Sequence, residues 1–299
     1  MRKASALRRF VASGVAAGVL LCGCSQPPAP PAASTVQAPA SGRYAARGVD
    51  PANLPAGTIY RNPASGRDEV VVPDISRTAL LIGDSQSEPA DGWPRLGLAA
   101  IGYKVHFCGL GGTGFVAANG KTGNYIDALE RGDWKLPYGT PPLIVIQGGG
   151  NDAGKGATDA QIVANADRLI AALQQRYPGV PQVLIGTLGR GANYGGGRRS
   201  QVDALLGTVA ARHGMRFVGV GDWLTKYGLA KDLSDAVHMN ASGRRSLGTL
   251  LEGRLRELGI TAPTGDAAGS ATITEQFVTD PQESLTGRSR RPQGTGSTS

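Results

Sequence analysis

Four short clusters of side chains in this chain could act together on an acyl carbon. Gly83-Asp84-Ser85 supplies a hydroxyl, and Gly111-Gly112 supplies backbone amides free of side chains. Gly150-Asn151-Asp152 supplies a carboxamide, and Asp235-Ala236-Val237-His238 supplies a carboxylate three residues before an imidazole. A serine hydroxyl is a weak nucleophile until a base takes its proton. An imidazole can be that base, and a carboxylate that accepts from it fixes its tautomer and stabilises the imidazolium. Backbone N–H groups and a carboxamide aimed at one point can hold the oxyanion that forms. The set needs no metal and no cofactor.

The chain has three histidines. His106 lies inside an apolar run and is expected to be a packed side chain. His213 follows Arg212 at the end of a helical pattern, where a cation suits the helix dipole. His238 alone sits in a polar loop, so it is the expected base, with Asp235 as its partner and Ser85 as the nucleophile. Asn151 and the amide of Gly112 are the expected oxyanion donors. Asp152 is expected to support its loop rather than to react.

These residues must be brought to one place, and the intervening pattern says how. Short apolar runs at Ala79–Ile82, Val105–Cys108, Leu143–Ile146, Val183–Ile185 and Phe217–Val220 predict five strands. Thr158 to Arg176 predicts a helix, with Thr158 and Gln161 as a capping box and Ile162, Ala166, Leu169 and Leu173 on one face. A last helix begins at Asn240 or Ala241 and is expected to bury Leu247, Leu250, Leu251, Leu255 and Leu258. Apolar strands alternating with helices predict a parallel sheet covered on both faces. In such sheets ligand sites lie beyond the carboxyl ends of the strands, and each of the four clusters follows a predicted strand.

The set resembles the SGNH hydrolases, also called the GDSL lipase/esterase superfamily. Gly83-Asp84-Ser85-Gln86-Ser87, Gly112, Gly150-Asn151-Asp152 and Asp235-Ala236-Val237-His238 match its four blocks. The resemblance implies a flavodoxin-like three-layer α/β/α sandwich with a five-stranded parallel sheet. It implies Ser85, His238 and Asp235 as a triad, with Ser85, Gly112 and Asn151 as the oxyanion hole. It implies a carboxylic ester hydrolase acting on an acylated small molecule, glycan or lipid. Two departures stand out: Cys108 and Gly109 replace the Asn that usually precedes the second-block Gly, and Ala236 and Met239 alter the last block. Three other readings are open. An acyltransferase could use the same site, and a binding lipoprotein could keep the fold without catalysis. Gly109-Leu110-Gly111-Gly112-Thr113-Gly114 also fits the dinucleotide fingerprint of an oxidoreductase, but it follows the second strand and leads into too short a helical run. The chain lacks the G-x-S-x-G elbow of the α/β-hydrolases.

The flanks read differently. Arg2, Lys3, Arg8 and Arg9 precede an apolar run from Phe10 to Leu21, too short to span a bilayer and suited to a signal peptide. Leu21-Cys22-Gly23-Cys24 resembles a lipobox, so residues 1–23 are expected to be removed and Cys24 lipidated, anchoring the chain on the outer side of the plasma membrane. Cys108 would then be the one free thiol. Residues 24–75 are read as a tether and N-terminal extension, in which Glu69–Val72 could add an edge strand; its Pro/Ala-rich part, Ser25 to Ser41, could reach roughly 50 Å. Residues 76–262 form the catalytic domain, and 263–299 are a polar tail of disordered composition. The formal charge of +8 falls to +4 without the four leader cations, which gives no reason to expect a nucleic-acid partner. The loop Gly189 to Arg199, with Arg190, Arg198 and Arg199, is expected to be a flexible border of the pocket.

Overall fold

The computed structural model describes residues 50–264, together with the backbone of Arg43 and Tyr44. Among the described residues, eight strands and seven α-helices follow one another. The strands are β1 (Arg43–Tyr44), β2 (Ile59–Asn62), β3 (Arg67–Val70), β4 (Thr78–Gly83), β5 (Lys104–Gly109), β6 (Ile144–Gln147), β7 (Gln182–Ile185) and β8 (Arg216–Val218). The helices are α1 (Trp93–Ala100), α2 (Tyr125–Arg131), α3 (Gly150–Gly154), α4 (Asp159–Arg176), α5 (Gly197–Arg212), α6 (Trp223–Lys226) and α7 (Ala241–Glu257).

β4 to β8 form one five-stranded sheet in the order β5-β4-β6-β7-β8, every pair parallel. Every residue of β4, β6 and β7 is buried, as a sheet covered on both faces requires. Side chains alternate between two cores. Leu80, Ile82, Ile144, Ile146 and Leu184 pack with Tyr125, Ile162 and Leu206 from α2, α4 and α5. Leu81, Val145, Val183 and Ile185 pack with Leu98, Trp223 and Leu251 from α1, α6 and α7. This is a three-layer α/β/α sandwich of flavodoxin-like order. The order reverses between β4 and β6, the point where such sheets open a crevice.

The capping box forms as expected: Gln161 N–H donates to Thr158 Oγ1, and the Thr158 N–H donates to Gln161 Oε1. Asn240 caps α7 by accepting from Gly243 N–H. Leu247, Leu251 and Leu255 are buried, but Leu250 and Leu258 are only half-buried. The last strand ends at Val218 instead of reaching Val220. Past that point the Asp203 carboxylate accepts from Val220 N–H at 3.1 Å and Thr187 N–H at 3.0 Å, so a side chain replaces the ladder.

Residues 50–75 do not extend the main sheet. β3 pairs antiparallel with β2, which pairs with β1, in a separate three-stranded sheet. The buried Glu69 carboxylate meets Arg176 at the end of α4 and accepts from Asn62 and Ser65. The segment expected as an edge strand is one, β3, at the edge of this smaller sheet, and a charge pair ties it to the end of α4.

α1 and α7 pack closely enough to require glycine at their crossing. A Cβ on Gly97 would lie 2.7–2.9 Å from three atoms of Leu251. Gly97→Ala should destabilise the fold by about 1–3 kcal/mol through overpacking, although alanine is the better helix former by ~1 kcal/mol. Chemical denaturation of the two proteins decides which effect wins.

Candidate active site

β4 delivers Ser85 two residues past its last residue, in a bend closed by Ser87 N–H and Glu88 N–H donating to Asp84 O. The hairpin Leu233–Met239 delivers the other two groups. Ser234 N–H donates to His238 O at 2.8 Å, and Leu233 bridges Met239. Inside it Asp235 Oδ1 accepts from Val237 N–H at 2.8 Å and His238 N–H at 2.7 Å, while Oδ2 meets His238 Nδ1 at 2.8 Å. These two backbone donors, and then the His238 side chain, hold the Asp235 carboxyl down at about 2. An ionised carboxylate only accepts, so His238 Nδ1 carries the hydrogen and Nε2 keeps its lone pair. Ser85 Oγ lies 2.8 Å from that Nε2 and can donate to it. Asp235 does not cap α7; Asn240 does.

Gln86 joins the two loops. Its Nε2 donates to Val237 O at 2.8 Å, and its Oε1 accepts from Trp93 Nε1 at 3.1 Å. A residue beside the hydroxyl therefore ties its loop to that of His238, through a carbonyl 151 positions away in sequence.

The two glycine-bearing clusters meet at a buried carboxylate. Asp152, fully buried in α3, accepts from Phe115 N–H at 2.9 Å, Val116 N–H at 2.7 Å and Ala117 N–H at 2.8 Å. A side chain on Gly114 would strike this carboxylate. The expectation that Asp152 supports its own loop is corrected here: it holds the loop after β5. Asn151, beside it, donates from Nδ2 to Thr113 O at 2.9 Å, and the same nitrogen lies 3.5 Å from Asp84 Oδ2, a long contact. Gly112, at φ 80, has no hydrogen-bond partner for its N–H among the described residues. Gly111 N–H, in contrast, donates to Glu88 Oε2 at 2.8 Å.

The structure thus brings Ser85, His238 and Asp235 into one hydrogen-bonded chain and sets Gly112 and Asn151 in the adjoining loops. Cys24 lies outside the described residues. His106 is a packed side chain, as expected, with Nε2 2.8 Å from Lys135 O, and His213 caps α5 and meets Asp167. The expected flexible border at 189–199 is shorter than its composition suggests. α5 begins at Gly197, so Arg198 and Arg199 are helical. Arg198 pairs with Asp159 at 2.6 Å, and Arg199 Nε donates to Leu188 O at 2.9 Å.

Ser85 opens on a shallow cleft of about 280 Å³ whose lining includes Gln86, Glu88, Pro89, His238 and Met239. Pro89 and Met239 are its only apolar lining residues. A hollow of about 270 Å³ between Arg61, Arg67, Arg131 and Trp134 carries no comparable nucleophile and base.

With this geometry in view, the chain can be compared with known proteins. The model of the GDSL-like lipase/acylhydrolase family matches residues 76–245. The chain belongs to that family. The match contains all four clusters. A multidomain esterase from Ruminococcus flavefaciens is 28% identical over 134 residues, 43% of this chain, and the chain spans only 17% of that protein's length. Among solved structures, the carbohydrate acetylesterase Est24 from Sinorhizobium meliloti is similar at 19% identity and a TM-score of 0.46, over 61% of this chain and 99% of that one. A family two carbohydrate esterase from Cellvibrio japonicus is similar at 15% identity and a TM-score of 0.49, over 64% of each chain.

Asp84, next to the hydroxyl, is 2% exposed. Burial pushes its carboxyl up to about 6, against the pull of the Gln86 N–H and of Arg199. Because the folded value lies above the ordinary 3.8, the native state holds this proton more tightly than the unfolded chain. Its contribution to stability is full below about 3.8 and is lost as pH rises through about 6. Asp84→Asn removes that loss. The stability of the variant relative to the parent should therefore improve between pH 4 and pH 7, by up to roughly 3 kcal/mol. Unfolding curves at the two pH values measure it; a difference independent of pH would contradict the buried-carboxylate account.

Proposed function

We propose that this protein is a serine carboxylic ester hydrolase that cleaves short acyl esters, acetyl above all, from a polar alcohol such as a glycan hydroxyl. The observation that carries the reading is the unbroken chain Asp235 Oδ2, His238 Nδ1, His238 Nε2 and Ser85 Oγ, each contact 2.8 Å. Ser85 Oγ attacks the acyl carbon and passes its proton to His238 Nε2. Asp235 holds Nδ1–H and stabilises the imidazolium. The tetrahedral oxyanion takes hydrogen bonds from the Ser85 and Gly112 N–H groups and from the Asn151 amide hydrogen that is held only by the long contact to Asp84. His238 then returns the proton to the leaving alkoxide. The acyl-enzyme is hydrolysed by a water that His238 deprotonates. The small cleft with little apolar lining supports a short acyl group and a polar alcohol over a long fatty chain.

The location is part of the same reading. The basic, apolar and Cys24-containing leader supports export and lipidation at Cys24, with the domain carried on the outer side of the plasma membrane. Metabolic labelling with a radioactive fatty acid should mark the full-length protein and leave Cys24→Ala unmarked; equal incorporation into both would remove the anchor from the proposal.

A fluorophosphonate should modify Ser85, with the adduct located by mass spectrometry. Ser85→Ala should lose on the order of 10⁶ in kcat, Asp235→Asn about 10⁴ and Asn151→Ala roughly 10²–10³ on p-nitrophenyl acetate. Activity in folded Ser85→Ala comparable to that of the parent would end the serine assignment.

A further inference from the structure

The loop from Gly111 to Ala117 commits its backbone donors almost completely. Gly111 N–H donates to Glu88, Thr113 N–H to Leu110 O, and Gly114 N–H to Ala117 O. The next three N–H groups go to Asp152. Among these seven residues, Gly112 alone has an N–H without a partner in the described structure. A position on Gly111 where a Cβ would stand is 3.3 Å from Ser85 Cβ, so this peptide runs directly beside the hydroxyl-bearing residue.

Asn119 controls the plane of that peptide. Its Nδ2 donates to Gly111 O at 2.6 Å. Gly111 O and Gly112 N–H belong to the same peptide unit, and in a trans peptide they point in opposite directions. Pulling the carbonyl towards Asn119 therefore turns the Gly112 N–H away from it. Rotation of this unit would exchange donor for acceptor and face a developing oxyanion with a carbonyl oxygen. Two neighbours keep the arrangement. Lys155 Nζ donates to Gly112 O at 3.1 Å and Ala118 O at 2.7 Å, and Asn119 is itself fixed by paired backbone bonds with Thr122 across a turn at Gly120.

We propose that Asn119 is a positioning residue of the oxyanion hole, orienting the Gly111–Gly112 peptide so that Gly112 N–H is offered to the reacting oxygen, with Glu88 withdrawing the neighbouring Gly111 N–H from that role. This rests on the serine reading above. Asn119 lies on the surface of the loop, clear of the Ser85–His238–Asp235 chain, so its effect on rate is transmitted through the peptide it holds.

The test compares Asn119→Ala and Asn119→Asp with the parent, each as the full-length protein, on p-nitrophenyl acetate. Aspartate keeps the shape of asparagine but presents only acceptors to Gly111 O. Both variants should lose about 10- to 100-fold in kcat, less than removal of a donor outright, with KM within about twofold of the parent. The inhibition constant of an alkylboronic acid, which forms a tetrahedral adduct on the serine, should rise in step with the loss of kcat. Thermal unfolding should be near that of the parent, since Asn119 is exposed. Unchanged kcat in both variants, or a loss seen only in KM, would overturn the proposal. Ser85→Ala run alongside separates the two possible failures. Activity lost in Ser85→Ala but retained in the Asn119 variants overturns the positioning role alone. Activity that survives Ser85→Ala overturns the serine reading and this role with it.

Discussion

The Asp152 carboxylate is the constraint on which the rest of the site depends. It is fully buried, and it takes three consecutive backbone N–H groups from a loop some 35 residues earlier in the chain. A buried carboxylate is tolerable only when its oxygens are satisfied, and buried N–H groups are tolerable only when they are paired. Each therefore enforces the other. Since Asn151 is the preceding residue, one ion fixes the glycine loop and the carboxamide relative to each other. The close approach needs Gly114 to have no side chain, and Asn151 adds its own bond to Thr113 O.

The remaining contacts extend this logic to the other loops. Gln86 holds the β4 bend to the hairpin of His238 and Asp235 through Val237 O. Glu88 reaches from the same bend to Gly111 N–H. Every loop at this edge of the sheet is thus bonded to at least one other. Cross-bonding of this kind holds Ser85, His238, Gly112 and Asn151 in fixed relation, which is the preorganisation that the proposed chemistry requires. The hydrophobic layers beneath supply the rigidity: β4 and β6 are buried along their whole length, so the loops of Ser85 and Asn151 start from strands packed on both faces, while the Gly112 loop leaves the edge strand β5.

Much of this was legible in the residues themselves. β4 and β7 hold short continuous apolar runs, Ala79–Ile82 and Val183–Ile185, which need no tertiary information to be read. The α4 cap is local, formed between residues three apart. Ser85, His238 and Asp235 stand out because a hydroxyl after the first strand of the main sheet, and a carboxylate and an imidazole three residues apart in a polar loop after the last, have few other uses. What could not be read depends on contacts distant in sequence. Nothing near Asp152 says that its partners are Phe115 to Ala117. Asn119 looks like a turn residue until Gly111 O is placed against it. The end of β8 was missed because Asp203, thirteen residues before the strand, takes over its ladder, and the Arg198-Arg199 pair read as loop because five glycines precede it and its helix starts at the last of them without a side-chain cap. Glu69 does lie in an edge strand, β3, but its ion pair could not be read because Arg176 lies more than a hundred residues away.

Cys108 sits in β5 at 3% exposure, packed in the core on the α4 side of the sheet. Burial pushes its thiol up to about 12, so almost no thiolate exists at neutral pH to meet an oxidant or an alkylating agent. Access requires β5 to part from its layers, and β5 is also the strand that launches the Gly112 loop. The rate at which this sulfur becomes alkylated is accordingly a clock for how often the sheet opens, and it records the integrity of the strand that launches the Gly112 loop without any substrate being added.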